Sequence, residues 1–401
     1  MHSRGIKIKI KAQLKIGKKY YFLILVLTFI VNFDSTVVIP IISNYAISLG
    51  ASIVLASFIV GVYSIVHIPS NIIAGRLVDK IGRKVLIAMG IILDGISILL
   101  YSVAPDPYFL LLARVIHGLG GGFGGPGTMA YLSDATPKEK SGRGMALYGI
   151  SFGISLLIGF MIGGIGAQAI GYKNLFFTIS IMLSIMAALS ILLPKIYQPE
   201  KEKLSYKKEL INFKELIASR KMIPPFLGIF ALNFNLGIIT ATYSVLLKGA
   251  NYNDAQIGMI FSILVFLSIL VHYPSGILID KKKKPKLMIL GLFITSISFL
   301  ILLLSLFLPI PIIGMIFFGI GHGIVFPTSA SIIRNNSKAN YMGMATGIFY
   351  SLVVAGIAIG APISGLIYAT FGFPAMLIMG ALVPLSIAMI LFPIIKLSAE
   401  I

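Results

Sequence analysis

Few side chains in this sequence can do chemistry, and several of them stand inside long apolar stretches. Asp34 lies in Asn32-Phe-Asp-Ser-Thr-Val-Val-Ile-Pro40. Arg114 and His117 share the segment Arg114-Val-Ile-His117-Gly118, where a spacing of three puts both on one face of a helix. Asp94, His67, His272 and His322 occupy other apolar stretches. A carboxylate, a guanidinium and an imidazole in low-dielectric surroundings can take up and release a proton, or hold a charged solute. Thr28, Asn32, Ser35, Thr36 and Ser43 fall on one helical stripe, with Asp34 on roughly the opposite side. The stripe is therefore a candidate cavity lining. Asp34 is a candidate proton carrier and the natural partner of Arg114, or else only its structural counter-ion. Asp94 reads equally well as a structural contact, and His67 and His272 read as packing residues.

Other chemistries find no support. Cysteine is absent, which excludes disulfides and thiolate metal sites. Gly120-x-Gly122-x-x-Gly125 matches a dinucleotide fingerprint in form, but it sits in an apolar stretch with no strand before it. No nucleophile–base set, metal cluster or nucleotide loop is visible, so neither an enzyme nor a cofactor is expected.

The elements that must position these residues follow from composition. The chain is 57% hydrophobic and 11% charged over 401 residues, too few charges to cover a water-soluble surface. Crossing a bilayer takes about 20 apolar residues. Such spans are expected near 20–43, 52–78, 84–104, 108–133, 143–168, 173–194, 223–248, 254–280, 286–307, 310–333, 341–369 and 374–396. The first is longer than the roughly 7–15-residue apolar region of a signal peptide and is read as a retained span. Basic residues crowd the N-terminal tail and every second connection, at 76–84, 138–143, 195–221, 281–286 and 334–338. The alternate connections hold only Lys173 and Lys248. This positive-inside pattern predicts cytoplasmic N- and C-termini. It also assigns the net charge of +20 to anionic inner-leaflet lipid rather than to nucleic acid.

Shifting the sequence by 201 residues lays Asn32-Phe33-Asp34 on Asn233-Phe234-Asn235, Gly75 and Asp79 on Gly276 and Asp280, and Gly159 and Gly164 on Gly360 and Gly365. His117 pairs with His322 if a four-residue gap is allowed, which makes His322 the most promising of the other histidines. The expected fold is an all-α integral membrane protein. Its 12 transmembrane helices form two pseudo-symmetric six-helix bundles related by an axis along the membrane normal. The expected domains are residues 1–194 with a basic tail, a cytoplasmic basic linker at 195–221, and residues 222–401.

The connection after the second span, Gly75-Arg-Leu-Val-Asp79-Lys-Ile-Gly82-Arg83-Lys84, resembles the Gly-x-Leu-x-Asp-Arg-x-Gly-Arg-Lys signature of the major facilitator superfamily. Its degraded copy runs from Gly276 through Asp280 to Lys286. Arg114-x-x-His117-Gly118 is similar to a second motif of that family, Arg-x-x-Gln-Gly, with His in place of Gln. The resemblance implies a major facilitator fold and a secondary transporter working by alternating access. It also implies a cytoplasmic gating motif at Gly75, Asp79, Gly82, Arg83, Lys84 and Asp280. Physically, Gly75 would let a helix approach closely, and Asp79 would pair with Arg83 or Arg143, or face the positive N-terminus of a neighbouring helix. In the drug/proton antiporters of the family the fifth helix carries Gly-Pro-x-x-Gly-Gly. Here Gly159-Phe160-Met-Ile-Gly163-Gly164 keeps the packing glycines and replaces the proline.

The expected activity is proton-coupled multidrug efflux of small lipophilic or cationic compounds by an antiporter in the plasma membrane. The proton-coupling or substrate cavity would use Asp34, Arg114, His117, Asn32, Asn235 and His322. Gly159, Gly163, Gly164, Gly360 and Gly365 would serve helix packing. Expected partners are the substrate, protons and lipid, with a monomeric chain. Alternatives are a proton symporter or uniporter for a small organic anion, sugar or other metabolite, or a non-transporting membrane sensor.

Overall fold

The computed structural model describes residues 16–137, 141–196, 216, 219–282, 286–337 and 342–398. The described residues are helical, with no strand among them. In chain order the elements are α1 (Lys18–Val38), α2 (Ile42–Ser48), α3 (Ile53–Ile81), α4 (Arg83–Ser102), α5 (Pro107–Ala135), α6 (Ser141–Ile170) and α7 (Tyr172–Ser190). They continue with α8 (Ile223–Ile238), a π-helical turn (Ile239–Tyr243), α9 (Ser244–Gly249), α10 (Asp254–Lys282), α11 (Lys286–Leu304), α12 (Ile310–Asn336) and α13 (Met342–Ser398). The last is two helices meeting at Gly372, whose φ of 81° and ψ of 176° are not helical. Ten of these stretches are long and apolar enough to cross a membrane.

Local chemistry sets the ends. The first expected span is broken after Val38, where Pro40 removes a backbone donor, and the chain restarts as α2. Asp106 caps α5 by accepting from the Tyr108 and Phe109 amides at 2.8 and 2.9 Å, and Pro107 fills the first turn. Gly82 starts α4 at φ 90°, a conformation that disfavours side chains.

The helices are inverted relative to those of a soluble protein. On α4 the exposed positions are Val85, Met89, Ile92, Ile96 and Leu99, while Asp94, Ser97 and Tyr101 are buried. α7 likewise exposes Phe177, Ile181 and Ile185. Large apolar faces with polar interiors are stable against lipid, not water.

Packing divides the chain into two compact units, 1–41 with 65–201, and 42–64 with 202–401. In the first, α1 packs on α5 and α6, and α4 packs on α5 and α7. In the second, α8 packs on α12 and α13, α12 on α10 and α11, and α11 on α13. Residues 42–64, which chain order assigns to the first expected bundle, pack within the second unit. There Gly61 abuts Pro362, Gly365 abuts Ser57, and the Ser43 hydroxyl donates to the Ala241 carbonyl at 2.5 Å.

The internal repeat reaches the backbone. Gly50 and Asn251, 201 positions apart, both have positive φ, at 94° and 66°; so do Gly171 and Gly372, at 78° and 81°. Asn32 and Asn233 each donate to a carbonyl four residues back, at 2.6 and 2.9 Å.

Candidate functional site

The first unit holds a charged cluster in its interior. α1 supplies Asp34, α4 supplies Asp94 and Tyr101, and α5 supplies Arg114 and His117. Asp34, Asp94, Tyr101 and His117 are 0% exposed and Arg114 is 2% exposed. Arg114 Nη1 lies 3.2 Å from His117 Nδ1 and donates to the Tyr101 oxygen at 3.5 Å. The Tyr101 hydroxyl is 2.8 Å from the same Nδ1. A guanidinium can only donate, so Nδ1 accepts and carries no proton. The imidazole proton is therefore on Nε2, which faces Asp34 Oδ2 at 3.1 Å and the Ser35 hydroxyl at 3.3 Å. His117 is thus a neutral relay. It receives hydrogen bonds from the cation on one side and donates to the carboxylate on the other.

Asp94 closes the cluster. Its Oδ1 is 4.0 Å from His117 Nε2. Neither of its oxygens has a hydrogen-bond partner, nor does Asp34 Oδ1. The carboxylate and imidazole atoms of Asp34, Asp94 and His117 lie within 4.8 Å of one another, a spacing that would also suit a metal ion. The tautomer argues against that use: Nε2 presents an N–H to the cluster, and a metal ligand needs a lone pair there.

Glycines make the cluster possible. A Cβ at Gly120 would run into the Asp94 carboxylate and backbone, and one at Gly124 would meet Val31. At Gly127 it would meet Ile87. Gly120, Gly124 and Gly127 are thus the close-packing seam of α5 against its neighbours, and the apparent dinucleotide pattern is helix packing. Gly122 serves α3 by abutting Ser70, whereas Gly125 has no atom within 4 Å among the described residues.

The remaining candidates are dispersed. Asn32 bonds to the Thr28 carbonyl of its own helix. Thr36 donates to the Ser155 carbonyl on α6 at 2.9 Å, and Ser35 meets His117, so the hydroxyls of α1 do not form a single lining. In the second unit Asn235 is fully buried and donates to the Gly380 carbonyl at 2.8 Å. His322 contacts the Ser268 hydroxyl at 2.7 Å and stacks on Phe326 with centroids 5.7 Å apart. His272, bonded to the Ser268 carbonyl, lies 5.9 Å from the His322 ring. His67 bonds to Asn71 Nδ2 at 3.0 Å and to the Gly121 backbone, a helix-packing environment.

At the start of α4, Arg83 is 6% exposed and donates from Nε to Asp134 at 2.8 Å and from Nη1 to the Val78 carbonyl at 3.1 Å. The acid shown on Arg83 is therefore Asp134, at the end of α5. The side chains of Asp79, Arg143 and Asp280 lie outside the described residues. Gly82 provides the positive φ already noted, and Lys84 is half-buried. Gly75 is exposed with nothing described within 4 Å of a Cβ there, so close approach of another helix is not its role among the described residues. The packing glycines are in contact. Gly159 abuts Thr36, Gly163 abuts the Val37 carbonyl and Pro40, Gly360 abuts Phe234, and Gly365 abuts Ser57. Gly164 is buried.

Asp94 and Tyr101 are the residues that reading the sequence undervalued. The available signal was their spacing: Asp94, Ser97, Ile98 and Tyr101 recur as one helical face, and all four are fully buried.

Apolar outer faces, a repeated helical unit and an ionisable cluster sealed inside one of its copies define a multi-pass membrane protein of the transporter kind. The chain belongs to the Major Facilitator Superfamily, whose family model matches residues 24–351 and, for the second half, 225–399. It is 27% identical over 366 residues to an uncharacterised MFS-type transporter of Methanocaldococcus jannaschii, covering 89% of this chain and 92% of that one. It is also 27% identical over 322 residues to the multidrug resistance protein MdtG of Enterobacter lignolyticus, covering 78% and 75%. A bacterial homolog of the human lysosomal transporter Spinster, solved in an inward-facing and occupied conformation, superposes with a TM-score of 0.80. That match has 13% identity and covers 96% of this chain and 97% of the other. These relatives are transporters, not enzymes, and the family implies a small-molecule substrate.

Proposed function

We propose that this transporter is a proton-coupled exporter of small lipophilic or cationic compounds, working by alternating access with twelve crossings in the plasma membrane and cytoplasmic termini. The Asp34–His117–Arg114 relay carries this reading. It is an ionisable cluster sealed inside a membrane bundle, with one Asp34 oxygen left without a partner. A proton taken up by this cluster on one side of the membrane and released on the other links proton binding and conformation reciprocally. Similarity to multidrug resistance proteins supports the substrate class. The engagement of Arg114 with Tyr101 and His117 disfavours a role as an anion clamp.

The driving force is adequate. For an uncharged solute, one proton crossing ~100 mV gains about 2.3 kcal/mol. A pH unit adds about 1.4 kcal/mol, and together they sustain a gradient of a few hundred-fold. The test uses purified protein in liposomes with an internal pH dye and an inside-acid gradient. Lipophilic cations should trigger proton release that is lost in Asp34→Asn. Full coupled flux in the variant would remove Asp34 from the mechanism, and silence with cations but flux of anions or sugars would replace the export reading.

A further inference from the structure

We propose that Asp94 carries the exchangeable proton of the cluster in the arrangement seen here, with Asp34 as its ionised partner. This deepens the proton-coupled reading, because it says where the proton rests.

The assignment follows from donors and charges. Asp34 Oδ2 receives the His117 Nε2–H, a hydrogen bond that stabilises a carboxylate. Asp94 is 0% exposed and neither of its oxygens receives a hydrogen bond. A buried carboxylate with no donor is costly, and a second negative charge beside it makes it more so. From α1 the group facing Asp94 is Asp34, and from α5 it is His117. The neighbouring stretch of α7 offers Leu183 near Gly95 and Phe176 against Tyr101, neither of them ionisable. With His117 neutral and Arg114 positive, one ionised aspartate balances the cluster, and two leave it at −1. A single proton restores neutrality, and the aspartate without donors is the one that takes it.

Two further observations fit. His117 offers its proton to the Asp34 side, so a second donor is needed only at Asp94. Gly120 leaves just enough room for the Asp94 carboxyl against α5, and a Cβ there would occupy the same place. Loss of the Asp94 proton to water, or its passage to an Asp34 oxygen, changes which side chain is neutral without moving a helix.

The experiment is infrared difference spectroscopy of the full-length protein in lipid, reading the carbonyl stretch of a protonated carboxyl and its shift in D2O. The wild-type protein at neutral pH should show the band, and Asp94→Asn should lose it. A band unchanged in Asp94→Asn, or no buried-carboxyl band in the wild type, would each overturn the assignment. Asn has the size of a protonated Asp, and Gly120→Ala provides a second variant that displaces the carboxyl without removing it. Its band should shift or vanish, and an unchanged band would also count against the proposal. The liposome assay separates the two readings. If the band behaves as stated but no substrate evokes proton movement in the wild type, the coupling reading falls and the location of the proton stands.

Discussion

His117 shows how one side chain can link charges of opposite sign. Its Nδ1 accepts from Arg114 and Tyr101 while its Nε2 donates to Asp34. A glutamine at this position has an acceptor and a donor on one amide, so it can reproduce both contacts. Accordingly, His117→Gln should retain proton-coupled flux and His117→Leu should lose it in the liposome assay. Loss in both would mean that the imidazole itself takes the proton. Tyr101→Phe should cost about 1 kcal/mol, the usual net value of one hydrogen bond, seen as a lowered thermal midpoint in detergent. Asp34, Arg114 and His117 were legible in the sequence because intramembrane ionisable residues are expensive and therefore conspicuous. Asp94 was equally conspicuous, but its orientation was not. α4 is apolar on both sides of the acid, so hydropathy does not say which side faces protein.

At the scale of helices, glycine positions decide how closely elements pack, and the contacts separate those in use from those that are not. Gly163 lies against the Val37 carbonyl, so Gly163→Leu should destabilise the first unit by about 1–3 kcal/mol or prevent its folding. Gly125 has open space beside it, so Gly125→Ala should be neutral, or stabilising by up to about 1 kcal/mol through helix propensity. Thermal unfolding of the two variants side by side would check this, and equal losses would contradict the packing described. The spans themselves were readable from hydropathy, as was the repeat that relates Gly159 to Gly360. The break after Val38 was not placed, although Pro40 marked it. Which glycines of α5 pack closely was not legible either. A run of glycines gives no periodic signal, and only the facing residues show that Gly120, Gly124 and Gly127 are the close contacts.

For the whole molecule, the charge map makes a prediction about sidedness. The sequence contains no cysteine, so single cysteines can be introduced into the natural background. Lys208→Cys should react with an impermeant maleimide only from the cytoplasmic side, and Lys173→Cys only from the opposite side. Labelling of both from one side would contradict the positive-inside assignment. The division of the sequence into two copies was visible at the level of motifs. The packing of residues 42–64 with the later helices was not, because it depends on small-residue contacts such as Gly61 with Pro362 that hydropathy does not register.

The π-helical turn at Ile239–Tyr243 has one more consequence. Its position in the repeat matches the break at residues 39–41, so the two halves interrupt the same level of the same helix by different means. A π turn holds one residue more than an α turn while leaving the helices on either side in line. That surplus residue is a unit of slack. Removing one residue between 239 and 243 should yield a continuous α-helix with both flanking faces preserved. A deletion elsewhere in α8 would rotate everything beyond it by about 100°. The slack can also migrate: a bulge displaced along the helix turns only the residues between its old and new positions, so this helix can re-aim a few side chains without moving its ends.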